Sequence, residues 1–210
     1  MLKIENVEVV GWMPAIRGMR NPLNSWAKSD SYFDSCENII GNADLDLMRR
    51  LAVNGPVHAK YRRMLVVYAD VTAPLYWWKE ADTYKVGTVA NSCSTMHKIH
   101  SRDLTLEDFS SDHLDEESMM ILLAVIKQIN KERKIYIETK DKKAWYNMIQ
   151  LLPTSYNQKR TIMLNYEVLT NIYQTRKDHK LDEWHTFCDW IRGLSCSEII
   201  TGEVKDDNSD

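Results

Sequence analysis

Residues 165–176 read NYEVLTNIYQTR. On a helix, Glu167 and Asn171 are four residues apart and share a face. Asn165, Leu169, Ile172 and Arg176 share another, by the step of about 100° per residue. Asn165 and Arg176 then stand about 16 Å apart along the axis, at about 1.5 Å of rise per residue. The result is an apolar stripe with a polar group at each end, suited to lining a pocket for a flat ligand with polar extremities. A half-buried helix with solvated ends carries the same pattern.

Working outward, residues 142–152 read as a helix that ends at Pro153, and residues 165–177 and 181–194 as two more. The last carries Trp184, Phe187, Cys188, Trp190 and Ile191. The strongest helix spans 115–140. It opens on Asp115-Glu116-Glu117, runs apolar from Met119 to Ile129 and closes with Lys131 and Arg133, which suits the helix dipole. Residues 201–210 (TGEVKDDNSD) form a polar tail expected to be disordered.

The N-terminal half is less regular. Residues 2–10 alternate like a strand. Residues 11–43 hold Pro14, Gly18, Pro22 and Gly41 and read as a long loop. Residues 44–53 read as a short helix stopped by Asn54-Gly55-Pro56, and 61–69 (YRRMLVVYA) as a buried strand. Residues 72–82 (TAPLYWWKEAD) suit a helix capped by Thr72 with Pro74 in its first turn. The small-residue segment Gly87 to Thr95 reads as a loop. With no internal repeat and no interior linker, residues 1–200 are expected to form a single α+β domain, more helix than strand.

Composition sets limits. The 210 residues carry a net charge of −3, with 44% hydrophobic and 27% charged residues, an ordinary globular balance. A near-neutral chain has no general affinity for nucleic-acid polymers or membranes. No stretch reaches the roughly 18 apolar residues of a membrane span. Cys36, Cys93, Cys188 and Cys196 match no zinc spacing. MLKIENVEVV lacks a secretory core, so reduced thiols and a cytoplasmic location are expected.

Few motifs carry chemistry. Thr88, Asn91, Ser92, Ser94 and Thr95 offer small donors of the kind that cradle a phosphate, but no P-loop, nucleophile elbow or dinucleotide fingerprint is present. The histidines lack a metal-binding arrangement, and no metal is expected. Arg176-Lys177-Asp178-His179-Lys180 is a charge run of the kind that ordinarily ends a solvated helix.

Taken together, LLP at 151–153, NYEVLTNIYQTR at 165–176 and LDEWHTFCDWI at 181–191 resemble a block of the flavin-dependent thymidylate synthases, the ThyX class. In that family a Leu-Pro precedes a strand, an Asn opens a helix and an Arg follows eleven residues later. Upstream, His58, the strand YRRMLVVYAD and the helix APLYWW resemble the approach to the family's Arg-His-Arg signature, and Asn91, Ser92 and Ser94 its nucleotide loop. This chain lacks the signature itself. Lys79 or Lys85 stands in its place, according to register, and Ser92 replaces a Glu. Glu167 and Ile149 stand where the family has arginines, and Met96-His97 replaces an Arg-Tyr. Lysine keeps the charge but loses the bidentate fork.

The resemblance covers roughly residues 56–195. It implies a helix-rich subunit around a twisted sheet, a homotetramer, and methylation of dUMP to dTMP with FAD, NADPH and methylene-tetrahydrofolate. It implies that Arg176 activates the pyrimidine. Lys85, Asn91, Ser92, Ser94 and Arg176 would hold the nucleotide, and His58, Lys79, Asn165, Glu167 and Asn171 the flavin. Trp77 and Trp78 would supply aromatic bulk beneath the pocket. Two other readings stay open: a non-catalytic relative that binds a nucleotide or acts in assembly, and a purely structural protein whose tryptophans are core and interface anchors.

Overall fold

The computed structural model describes residues 2–203. Its elements run β1 (Lys3–Val10), α1 (Trp12–Arg20), β2 (Tyr32–Asp34), β3 (Glu37–Ile39), α2 (Asn42–Val53), β4 (Val66–Pro74), α3 (Leu75–Ala81), β5 (Val89–Ser92), α4 (Thr95–Lys98), α5 (Glu116–Thr139), α6 (Lys142–Leu151), β6 (Asn157–Asn165), α7 (Tyr166–Arg176), α8 (Asp182–Arg192) and α9 (Glu198–Thr201). This is the helix-rich α+β class. The four-stranded sheet has the order β1-β4-β6-β5. β4 and β6 run in opposite directions: Leu75 N–H donates to Tyr156 O at 3.0 Å, and Asp70 accepts from Thr161 Oγ1 at 2.6 Å. β2 and β3 form a separate antiparallel hairpin with Tyr32 opposite Ile39 and Asp34 opposite Glu37.

Residue contacts divide the chain into two compact units, Met1–Glu5, Asp70–Thr83 and Ala90–Thr161 in one, Asn6–Ala69, Tyr84–Val89 and Ile162–Asp210 in the other. In the first unit, α5 and α6 close over Ile99, Leu104, Phe109, Leu122, Ile126, Ile129 and Met148. Asn130 locks the approach to α5, since its side chain both accepts from Leu104 N–H and donates to Leu104 O, each at 2.8 Å. Asp115 caps α5 by accepting from Ser118 N–H at 2.8 Å. Trp77 and Trp78 are buried here, edge to face at 4.9 Å. The Trp78 indole donates to Gln158 O at 2.9 Å, and the Arg160 guanidinium lies 4.2 Å from its ring centre. The adjacent indoles are therefore core packing with one polar tether.

In the second unit, α7, α8 and α9 pack around Tyr166, Leu169, Tyr173, Trp184, Phe187 and Ile191, each almost fully buried. The Tyr166 hydroxyl donates to Ser195 O at 2.7 Å. Around α1 and α2, one carboxylate organises the chain. Asp44 is fully buried and accepts from Arg20 Nε (2.6 Å), Ser29 Oγ (2.7 Å), and the N–H groups of Asp30 and Ser31 (3.1 Å each). Burial pushes its pKa up, but the bonds from Ser29, Ser31 and Arg20 outweigh it and hold the carboxyl below the ordinary range.

Several expectations are corrected. Residues 11–43 are not a continuous loop, because Gly11 turns at φ 97° and α1 begins at Trp12, burying Trp12, Ala15 and Ile16. Pro14 falls in the first turn of α1, where its missing N–H costs nothing. The strand expected at 61–69 starts later: Lys60–Arg63 is a 3-10 turn, with Tyr61 donating to Met48 O, and β4 runs from Val66 to Pro74. Thr72 lies inside that strand and is no helix cap. α3 starts at Leu75, and the N–H groups of Leu75 and Tyr76 find Tyr156 O and Thr154 O. The loop expected at 87–95 contains β5 and ends on the first residue of α4, and Cys93 N–H bonds Lys159 O at 2.9 Å. Residues 157–165, where only the family resemblance pointed to a strand, form β6. Of the tail expected to be disordered, Thr201 ends α9, and Glu203 accepts from the Tyr173 hydroxyl at 2.5 Å. Residues 204–210 lie outside the described residues. The helices at 44–53, 115–140, 142–152, 165–177 and 181–194 appear within two residues of the expected limits.

Two tests follow. Asp44→Asn removes the anion from beside buried Arg20, and breaking a buried pair costs about 3–5 kcal/mol, measurable by urea unfolding. The depressed Asp44 pKa means its stabilisation is present above the unfolded value of about 3.9 and is lost as pH falls through the folded one. The wild type should therefore lose stability on acidification below about pH 4 more steeply than Asp44→Asn. At Gly11, an added Cβ would sit 2.1 Å from Met64 O at positive φ. Gly11→Ala should destabilise by more than about 1 kcal/mol, read as a lowered thermal midpoint.

Candidate functional site

The second unit holds Arg176 in a defined setting. α7 begins where Asn165 caps it, its side-chain oxygen accepting from Val168 N–H at 3.0 Å. Eleven residues later, Arg176 is the last residue of the helix, where a cation meets the negative end of the dipole. Its Nε donates to the Tyr84 hydroxyl at 2.9 Å. Its guanidinium carbon lies 4.8 Å from the Trp184 ring centre and 5.6 Å from that of Tyr84. Tyr84 and Trp184 meet edge to face at 6.2 Å. Arg176 is half-buried, so it is not the solvated helix-end charge that the surrounding charge run suggested.

The hydroxyls around it point one way. Thr175 Oγ1 donates to Asn171 O at 2.8 Å, and lies 2.7 Å from the Tyr84 oxygen. With its own proton directed at the backbone, Thr175 accepts from Tyr84, and Tyr84 in turn accepts from Arg176. Such chains polarise each member and strengthen the bond from the cation.

The segment Tyr84 to Gly87 lies along α7. Tyr84 meets the C-terminal end through Thr175 and Arg176. Gly87, at φ 76°, packs on the N-terminal end so closely that an added Cβ would lie 2.8 Å from Asn165 Nδ2 and 3.5 Å from a Val168 methyl. Lys85 is exposed between these anchors. The apolar stripe of α7 does not line an open groove: Leu169 is 0% and Ile172 3% exposed. They are core, and only the polar ends of that face reach the surface.

Arg62 and Glu167 form a second charged feature. Arg62 is buried, and its Nη1 lies 3.7 Å from Glu167 Oε2, at the first turn of α7. Neither Arg62 Nε nor Glu167 Oε2 has a hydrogen-bond partner. Glu167 thus answers a buried cation of its own chain. His58 is exposed in the turn after α2, and Asn171 is exposed on α7. A flavin dinucleotide brings a diphosphate, which needs cations or free N–H groups. Of the five residues named for FAD, four lie in this unit: a capping amide, a carboxylate turned to arginine, an exposed imidazole and an exposed amide. None of the four is a lysine or arginine that would meet the diphosphate.

The first unit carries the remaining residues and a cleft of about 270 Å³ lined by Cys93, Ser94, Lys98, Arg102, Asp108 and Tyr156, among others. Ser94 caps α4, its Oγ accepting from His97 N–H at 3.2 Å. Arg102 grips Asp108 through both nitrogens, with Nη1–Oδ2 at 2.8 Å. Burial raises the Asp108 pKa, while Arg102 and the Thr105 N–H lower it further, so the net direction is down. Burial and the Asp108 charge push the Tyr156 phenol up. Asn91 and Ser92 are exposed on β5 and do not line the cleft, and Lys79 is exposed in the last turn of α3. Sequence reasoning missed Tyr84 and Trp184 as partners of Arg176. No periodic pattern links a turn, a helix end and a second helix.

No known protein-family profile matches the chain, and none of the curated proteins does. Solved structures do. A ThyX thymidylate synthase from Helicobacter pylori, crystallised with FAD and dUMP, superposes with a TM-score of 0.72 at 15% identity over 97% of this chain and 98% of that one. A second structure of flavin-dependent ThyX from H. pylori, with the same two ligands, gives 0.66 at 17% identity over 95% and 98%. The UMP/dUMP methylase PolB from Streptomyces cacaoi, bound with 5-Br dUMP, gives 0.61 at 12% identity over 96% and 95%. At such identities the likeness carries the fold, and this chain has the fold of the flavin-dependent thymidylate synthases and of PolB.

Proposed function

We propose that this chain binds a pyrimidine deoxynucleotide, with Arg176 meeting a carbonyl oxygen of the ring, and that its reaction is the methylation of dUMP to dTMP. The observation that carries this is the guanidinium of Arg176, fixed at the end of α7 by Tyr84 and stacked on Trp184. A preorganised cation aimed at an oxygen stabilises negative charge as it develops there. Fold analogy adds to this: the similar H. pylori and S. cacaoi proteins were crystallised with dUMP or its bromo analogue. Lys85, Asn91, Ser92 and Ser94 are proposed to contribute to nucleotide binding. FAD, NADPH and methylene-tetrahydrofolate are the cofactors that methylation would require. A homotetramer and a cytoplasmic location complete this reading. Among the described residues, no helix is long and apolar enough to cross a membrane.

One observation favours a second reading. Glu167, standing where the resembling family has an arginine, is paired with buried Arg62. On this reading the chain is a non-catalytic relative that keeps the fold and binds a nucleotide.

Calorimetric titration with dUMP, with and without FAD, tests both. Wild-type protein should bind dUMP. Arg176→Lys should bind it roughly ten- to a hundredfold more weakly, the worth of a hydrogen bond to a charged group, at an unchanged thermal midpoint. Flavin absorbance after incubation with FAD, together with dTMP formation, supports methylation. Binding of dUMP without either supports the second reading. No binding of dUMP overturns both.

A further inference from the structure

We infer that Tyr84 is a positioning residue for Arg176, with Trp184 as the surface on which the guanidinium lies. This rests on the reading of Arg176 as the nucleotide-contacting group. An arginine at a helix end has four side-chain torsions and ordinarily samples many rotamers, so ordering it costs conformational entropy. Two contacts of different kinds remove that freedom here. The Nε–H bond to Tyr84 is in the guanidinium plane and fixes its rotation. The Trp184 ring, with its centre 4.8 Å from the guanidinium carbon, lies within cation–π range and limits its tilt.

Tyr84 is itself held. Its hydroxyl proton is directed to Thr175 Oγ1, one residue before Arg176. Its backbone oxygen accepts from Thr88 Oγ1 at 2.5 Å, closing the turn. Gly87 then seats that turn on Asn165. The cation is therefore ordered before any ligand arrives, and a ligand meeting it does not bear that ordering cost. A bare solvated arginine would offer the same charge without the direction.

Tyr84→Phe separates these possibilities, because it deletes the acceptor oxygen and keeps the ring. Trp184 is fully buried, so its replacement confounds stacking with packing, and Tyr84→Phe is the informative change. The first measurement is the Arg176 Nε–H exchange rate by NMR on the intact protein without ligand. Exchange should be slow in the wild type and at least tenfold faster in Tyr84→Phe. Equal rates overturn the inference whatever the protein binds. The second is dUMP affinity by calorimetry for wild type, Tyr84→Phe, Arg176→Lys and the double variant, at matched thermal stability. Tyr84→Phe should weaken dUMP binding roughly tenfold in the wild-type background and have little further effect in the Arg176→Lys background. Equal losses in both backgrounds mean that Tyr84 is merely structural, and overturn the inference while leaving Arg176 a nucleotide contact. If Arg176→Lys binds dUMP as well as the wild type, the nucleotide reading of Arg176 fails, and with it this role for Tyr84.

Discussion

The first N–H groups of a helix have no partner within it, and in this chain that constraint sets where two strands must end. β4 runs directly into α3, and β6 directly into α7. Leu75 and Tyr76, opening α3, donate to Tyr156 O and Thr154 O just before β6. Tyr166, opening α7, donates to Leu65 O just before β4, and Val168 donates to the Asn165 side chain. Each helix start is satisfied by the strand paired with its own, so strand register and helix position are one decision. The start of α7 fixes its end, and that end is Arg176. A register slip would move the guanidinium and leave buried N–H groups without acceptors.

Buried charge is handled in three ways. Asp44 receives four donors and organises the chain from Arg20 to Ser31. Glu132 sits on α5 and accepts from Gln128 at 2.7 Å and Asn147 at 3.1 Å, so two neutral amides carry it. Arg62 makes a longer contact to Glu167, and among the described residues its Nε finds no hydrogen-bond partner. The first two are satisfied in the way folded proteins generally require. The third explains Glu167: with a cation buried beneath the first turn of α7, a carboxylate there lowers the cost of that burial, and an arginine at 167 would raise it.

A shared fold does not transfer an activity, and in this chain the residues matched to the family have separate fates. Asn165 and Gly87 are tied to each other and to the start of α7. Ser94 caps a short helix beside a polar cleft, while Asn91 and Ser92 stay on an exposed strand. Arg176 is distinguished by being held. An in-plane hydrogen bond, an aromatic face and the end of a helix dipole act on one group, and each favours the cation in one place. Helix-end charges with only solvent around them have no such convergence.

The long helices were legible from sequence because their signals are local. Asp115 and the apolar spacing that follows specify α5, and Asn165 followed by the periodic run to Arg176 specifies α7. Capping and periodicity act within a few residues, so one stretch of chain contains them. The α+β class follows from the same information. Tertiary structure decided the rest. α1 was hidden because Gly, Pro and a second Gly read as loop, although Gly11 is required by the approach of Met64 O. The end of β4 at Pro74 depended on acceptors near residue 156. Whether Arg176 was a solvated charge or an ordered cation depended on Tyr84, 92 residues away in sequence, and on Trp184 in the next helix. Nothing local to any of the three residues encodes that meeting. It exists because α7 and α8 pack through buried aromatic and aliphatic faces while the turn at Gly87 can press its backbone against Asn165.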